Sequence, residues 1–196
     1  MKQEILAGDG ADNAINFTPV FELLNEKLSG AGQRLELVCG GGYALQSYGY
    51  RGTVDVDAFY NGNDAIEQMI RDVGDAFGIN TADEVWLNNS ISNLNTEPPK
   101  QYTKVIHQFS NLIVKVVKLD YLIGMKLTSA RARDIKDVGE ILAGEGTQKP
   151  FELVESLHIM GFNIDISLLL EAFGMAYGMD WLETFYRENA KRLSGM

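Results

Sequence analysis

Cysteine is nearly missing from this chain: among 196 residues there is one, Cys39. A single thiol excludes an internal disulfide and suits a reducing compartment. No run of 18 apolar residues occurs, which excludes a membrane-spanning helix. The first residues lack the apolar segment of a signal peptide, so the expected location is cytoplasmic, with no membrane partner. The two histidines, His107 and His158, stand apart from any metal-ligand spacing, and core or surface roles suit them better. Basic residues are in deficit, 17 against 27 acidic, for a formal net charge of −10. Such a chain can hold nucleic acid only through a local basic patch. No internal repeat or low-complexity tract is visible. With 45% hydrophobic and 22% charged residues, the sequence has the composition of a globule with a sizeable core.

What is present falls into two halves. Residues 1–16 are polar and glycine-dotted and read as a loose arm. A helix follows over 18–30, with Thr18 as its cap, Pro19 in the first turn and Gly30 at its end. A strand over 35–39 runs into glycines, and a short helix follows from Gly42. Residues 53–60 alternate Val54, Val56 and Ala58 against Asp55, Asp57 and Phe59, the period of a strand. Residues 63–78 carry Ile66, Met69, Ile70, Val73 and Phe77 at helical spacing behind an Asn63 cap. The polar tract 81–100 ends in Pro98-Pro99 and reads as loop with one short apolar stretch. A hairpin is expected next, turning near Ser110-Asn111. Beyond Asp120 the pattern is helical throughout. The expected class is α/β (α+β): a mixed sheet flanked by helices over 1–118, and a helical C-terminal part over 119–196 packed on that core.

One stretch carries chemistry. Gly41-Gly42 sits between a strand and a helix, where a backbone without side chains lets a ligand approach and free amides favour phosphate. The dinucleotide fingerprint is excluded, because its third glycine would fall at Leu45, and no Lys-Ser/Thr pair marks a P-loop. Asp55 and Asp57, two apart in a strand, would leave the same face roughly 6.5–7 Å apart at the backbone. Like charges side by side repel, and a hard cation between them removes that cost; Mg²⁺ is typically held by one or two carboxylates plus substrate phosphates. Taken singly, a D-x-D pair is a common accident and a glycine run is usually a turn. The joint order of strand, Gly-Gly, helix and Arg-x-Thr-x-Asp-x-Asp is far more specific.

That order resembles the nucleotidyltransferase superfamily with the DNA polymerase β-like fold. The nearer resemblance is to minimal bacterial members related to the AbiEii abortive-infection toxins. It rests on Gly41, Gly42, Ala44, Leu45, Gly49, Arg51, Thr53, Asp55 and Asp57, and on a later helix with Met125, Lys126, Leu127, Ala130, Arg131, Arg133, Asp134 and Asp137. The resemblance implies an enzyme that moves an NMP from an NTP to an RNA or protein acceptor such as tRNA, as a toxin or defence protein with a cognate antitoxin. It implies Mg²⁺ or Mn²⁺ on Asp55 and Asp57, nucleotide phosphates at Gly41, Gly42, Arg51 and Thr53, and Lys126 on the triphosphate. The plainer role for Lys126 is an exposed lysine on an amphipathic helix. Arg133 reads as an ion-pairing residue and Asp137 as a residue near the site. Trp86 and Tyr102 could stack on a base, with core packing the simpler role, and Cys39 reads as a small buried hydrophobe.

Two features depart from the resemblance or extend it. The superfamily adds a third carboxylate from a neighbouring strand, yet the strand expected there offers Lys115, and Asp120 comes late enough to cap the next helix. This leaves open a degenerate site that binds nucleotide or a partner without catalysis, and also transfer to a small molecule of the antibiotic type. Basic residues also gather at Lys115, Lys118, Lys126, Arg131, Arg133 and Lys136, either as a patch for a nucleotide or RNA end or as a solvated helix face.

Overall fold

The computed structural model describes residues 14–93 and 95–194. The chain divides into two compact units, Met1–Lys118 and Leu119–Met196. The class is α/β: a mixed five-stranded sheet in the first unit, and helices alone in the second.

In the first unit, helix α1 spans Thr18–Gly30 with Pro19 in its first turn. Thr18 does not cap it. Phe17 occupies the cap position, and the Asn16 side chain accepts the Thr18 amide at 3.1 Å. Strand β1 (Leu35–Cys39) leads into α2 (Gly41–Ser47), then β2 (Val56–Phe59) and α3 (Asp64–Phe77). Asn63 caps α3 by accepting the Ile66 amide at 3.0 Å, as its side chain and position predict. The polar tract contributes a two-residue strand, β3 (Leu87–Asn88), and two short 3-10 turns, Ser90–Asn93 and Lys100–Tyr102. The expected hairpin is β4 (Thr103–Gln108) and β5 (Leu112–Val117).

The strands lie in the order β3-β2-β1-β5-β4. β1 pairs antiparallel with β2 and parallel with β5. Alternation sends Leu35, Leu37 and Cys39 of β1, Leu112, Val114 and Val116 of β5, and Val56 and Ala58 of β2 to one buried face. Helix α1 packs on both α3 and β5. Beside them Phe17, Phe21, Tyr43 and Trp86 form an aromatic cluster with ring centroids 5.5–6.2 Å apart. Trp86 is core, and its indole N–H donates to the Ile70 carbonyl at 2.8 Å. Each such fully buried large apolar side chain contributes roughly 1.5–3 kcal/mol.

The expected loose arm falls mostly on residues 1–13, outside the described residues. The part that is described is pinned: Ile15 is buried, and its amide donates to the Thr53 carbonyl at 3.1 Å.

The second unit consists of α4 (Leu119–Ser129), α5 (Ala132–Gly144), α6 (Pro150–Ile159), α7 (Ile166–Tyr177) and α8 (Met179–Leu193). Asp120 lies inside the first turn of α4, accepting the Tyr121 amide at 2.8 Å. Helix α5 packs along α7 and against α4. Among the described residues no helix is long and apolar enough to cross a membrane.

Candidate functional site

The glycine turn and the aspartates meet at the end of β1. Gly41 has φ +52, a left-handed backbone that side chains disfavour. A Cβ there would stand 2.6 Å from Oδ2 of Asp57, and one on Gly42 would stand 2.5 Å from Oγ1 of Thr53. Both glycines are therefore set by close approach to the D-x-D segment. The backbone closes the same junction, since the Gly40 amide donates to the Asp57 carbonyl at 3.0 Å.

The two carboxylates do not share one strand. Asp57 is on β2, whereas Asp55 lies in the bend just before it, because the ladder with β1 ends short of residue 55. Both are half-buried. Each offers Oδ1 to a hydroxyl: Thr53 donates to Asp55 at 2.7 Å, and Ser90 donates to Asp57 at 3.0 Å. Ser90 comes from the tract read as loop, and nothing local in the sequence marks it. Arg51 lies beside Gly42, where an added Cβ would be 3.3 Å from its guanidinium, and it donates to the Gly52 carbonyl at 3.3 Å. Cys39 lies beneath; burial pushes its thiol pKa up, and the Asp57 charge adds to that rise.

The cradle under Gly41, with two carboxylates whose Oδ1 atoms are fixed by hydroxyls, fits a hard cation that takes its remaining ligands from a substrate. Among the described residues no three His, Cys, Asp or Glu side chains gather as a metal set.

Lys115 is not on a strand next to β2. β1 lies between, so β2 and β5 are roughly 9–10 Å apart. The register sets Val38 opposite both Phe59 and Lys115, so Lys115 shares a sheet face with Asp57. Its ammonium is held by Glu36 of β1. Extending the register by one residue puts Val117, fully buried, across from Gly40 and level with Asp57.

In the second unit Lys126 is buried, 3.0 Å from Asp134 and 2.6 Å from Asp137, and Asp137 is buried with it. Arg133 is exposed. The basic cluster is largely neutralised: Lys115, Lys126, Arg131 and Lys136 each lie within 4 Å of a carboxylate.

Residues 16–148 match a family described as nucleotidyltransferases of unknown function (DUF6036). The chain belongs to this nucleotidyltransferase family. The match runs from α1 through α5, so it takes in the glycine turn, both aspartates and the Lys126 cluster. No curated protein and no solved structure matches the chain.

Proposed function

We propose that this nucleotidyltransferase-family protein is a metal-dependent enzyme that moves an NMP from an NTP to a hydroxyl of an RNA or protein acceptor. The observation that carries the reading is the seating of the Asp57 carboxylate directly under Gly41, in the space a side chain would fill. Asp55 and Asp57 would hold Mg²⁺ or Mn²⁺, which when bound offsets triphosphate charge and lowers the pKa of the attacking hydroxyl. Gly41 and Gly42 let Asp57 and Thr53 close up against the turn, and Arg51 brings positive charge for phosphates to the same turn. In the transfer, the acceptor oxygen bonds to the α-phosphorus, the bridge to the β-phosphate breaks, pyrophosphate leaves and the acceptor proton passes to solvent. Lys126 is read as a clamp between α4 and α5, because two carboxylates already hold its ammonium. With net charge −10 and most of the basic cluster paired, the acceptor reaches the site as an end or a side chain rather than along a broad nucleic-acid surface. The resemblance to AbiEii-type toxins supplies the biological setting, a toxin held in check by a cognate antitoxin.

A second reading, nucleotide binding without transfer, is favoured by the lack of a third carboxylate beside the pair among the described residues. One experiment separates the two. The protein is incubated with each α-labelled NTP, Mg²⁺ and bulk tRNA or total protein, alongside Asp57→Asn. Label moving to an acceptor, lost in Asp57→Asn, supports transfer. Mg²⁺-dependent binding without label transfer supports the second reading, and binding that persists unchanged in excess EDTA overturns the metal-dependent site.

A further inference from the structure

We infer that Gln46 is a positioning residue that fixes the Asp55 carboxylate through Thr53, an inference that rests on the proposed metal-nucleotide reading. Gln46 lies on α2, half-buried, and its carboxamide is used at both ends. Oε1 accepts the Thr53 amide at 2.8 Å, and Nε2 donates to the Ile15 carbonyl at 2.7 Å. The Ile15 amide returns to the Thr53 carbonyl at 3.1 Å. Both backbone polar groups of Thr53 are thus tied down, one by Gln46 and one by the segment that Gln46 itself holds.

This closed circuit matters because the segment 51–55 has no ladder of its own; β2 begins only at Val56. The Thr53 side chain has little freedom left. It is buried, packed against the Cβ-less face of Gly42, and its hydroxyl donates to Asp55 Oδ1 at 2.7 Å. A second contact closes the other side: a Cβ on Gly52 would meet that of Ala14 at 2.5 Å, so residues 14–15 lie directly on the loop. Thr53 therefore stands behind the proposed carboxylate ligand as outer-shell partners do, partners that typically tune metal affinity by about 10–100-fold, and Gln46 acts one bond further back by holding Thr53.

The test compares Gln46→Ala, Gln46→Glu, Thr53→Val and Thr53→Ser. Mg²⁺-dependent NTP affinity is read by calorimetry, melting temperature is read in parallel, and amide hydrogen exchange of residues 51–57 is read without nucleotide. Gln46→Ala should speed exchange at 51–57 and weaken affinity about tenfold. Gln46→Glu keeps an acceptor for the Thr53 amide but sets an oxygen against the Ile15 carbonyl, so it should not rescue. Thr53→Val should weaken affinity while Thr53→Ser, which keeps the hydroxyl, should restore it. Wild-type affinity in Thr53→Val, or unchanged exchange at 51–57 in Gln46→Ala, would overturn the inference. Should the wild-type protein bind no NTP with Mg²⁺, the proposed function falls, and the exchange data alone still decide whether Gln46 holds the loop.

Discussion

A Cβ on Gly41 would lie 2.6 Å from Oδ2 of Asp57, and the backbone of Gly41 is left-handed at φ +52. Two independent constraints thus exclude a side chain at this position against the carboxylate. Gly41→Ala should destabilise the protein by at least about 1–2 kcal/mol from backbone strain alone. It should also weaken Mg²⁺-dependent nucleotide binding, because the clash displaces Asp57. Urea unfolding and calorimetry check the two effects; a stable, fully binding variant would show that the turn does not form the cradle.

Asp57 and Asp137 should separate binding from stability. Asp57→Ala removes a proposed cation ligand and should lower NTP affinity by about tenfold or more. Asp137→Ala takes one of two carboxylates from buried Lys126. Breaking a buried pair typically costs about 3–5 kcal/mol, and the remaining Asp134 should hold the loss to the lower end. The expected pattern is a lower urea midpoint with nearly unchanged affinity in the folded protein. A larger affinity loss in Asp137→Ala than in Asp57→Ala would return Lys126 and Asp137 to the nucleotide site.

Lys115 is engaged by Glu36, which is close to half exposed. Ion pairs with an exposed partner contribute about 0–1 kcal/mol. Lys115→Met should therefore change stability little and leave Mg²⁺-dependent NTP affinity within about twofold, since β1 separates β5 from the D-x-D strand. A tenfold fall in affinity would instead assign Lys115 to the phosphates.

His107 provides a pH test of the first unit. Its ring lies 5.8 Å from that of Phe21 and 5.9 Å from that of Phe109. Burial lowers its pKa below the ordinary 6.5, against a weaker opposing pull from Glu22. The unfolded chain then binds the extra proton first. The stabilising contribution is fully present above about pH 6.5 and is lost as pH falls through that value toward the depressed folded one. His107→Phe should flatten this part of the profile, measured as urea midpoints at several pH values between about 7.5 and 5. Parallel profiles for the two proteins would contradict the shift.

Sequence alone determined the elements whose cause is local. The apolar spacing of Ile66, Ile70, Val73 and Phe77, with an Asn63 cap, specifies α3, because both signals act within a turn or two of helix. The proximity of Gly41-Gly42 to Asp57 was legible for a related reason: a strand, a turn and a short returning helix leave the chain few ways to run. Tertiary structure decided the rest. Ser90 reaches Asp57 across 33 residues, and Gln46 reaches Ile15 across 31, through contacts to which no periodicity points. Placing β5 beyond β1 gave Lys115 to Glu36 rather than to the aspartates, and the docking of α4 on α5 buried Lys126 between carboxylates. Strand order and helix packing are set by the burial of whole faces summed over many residues, so the partner of a single charged side chain emerges only once those faces have met.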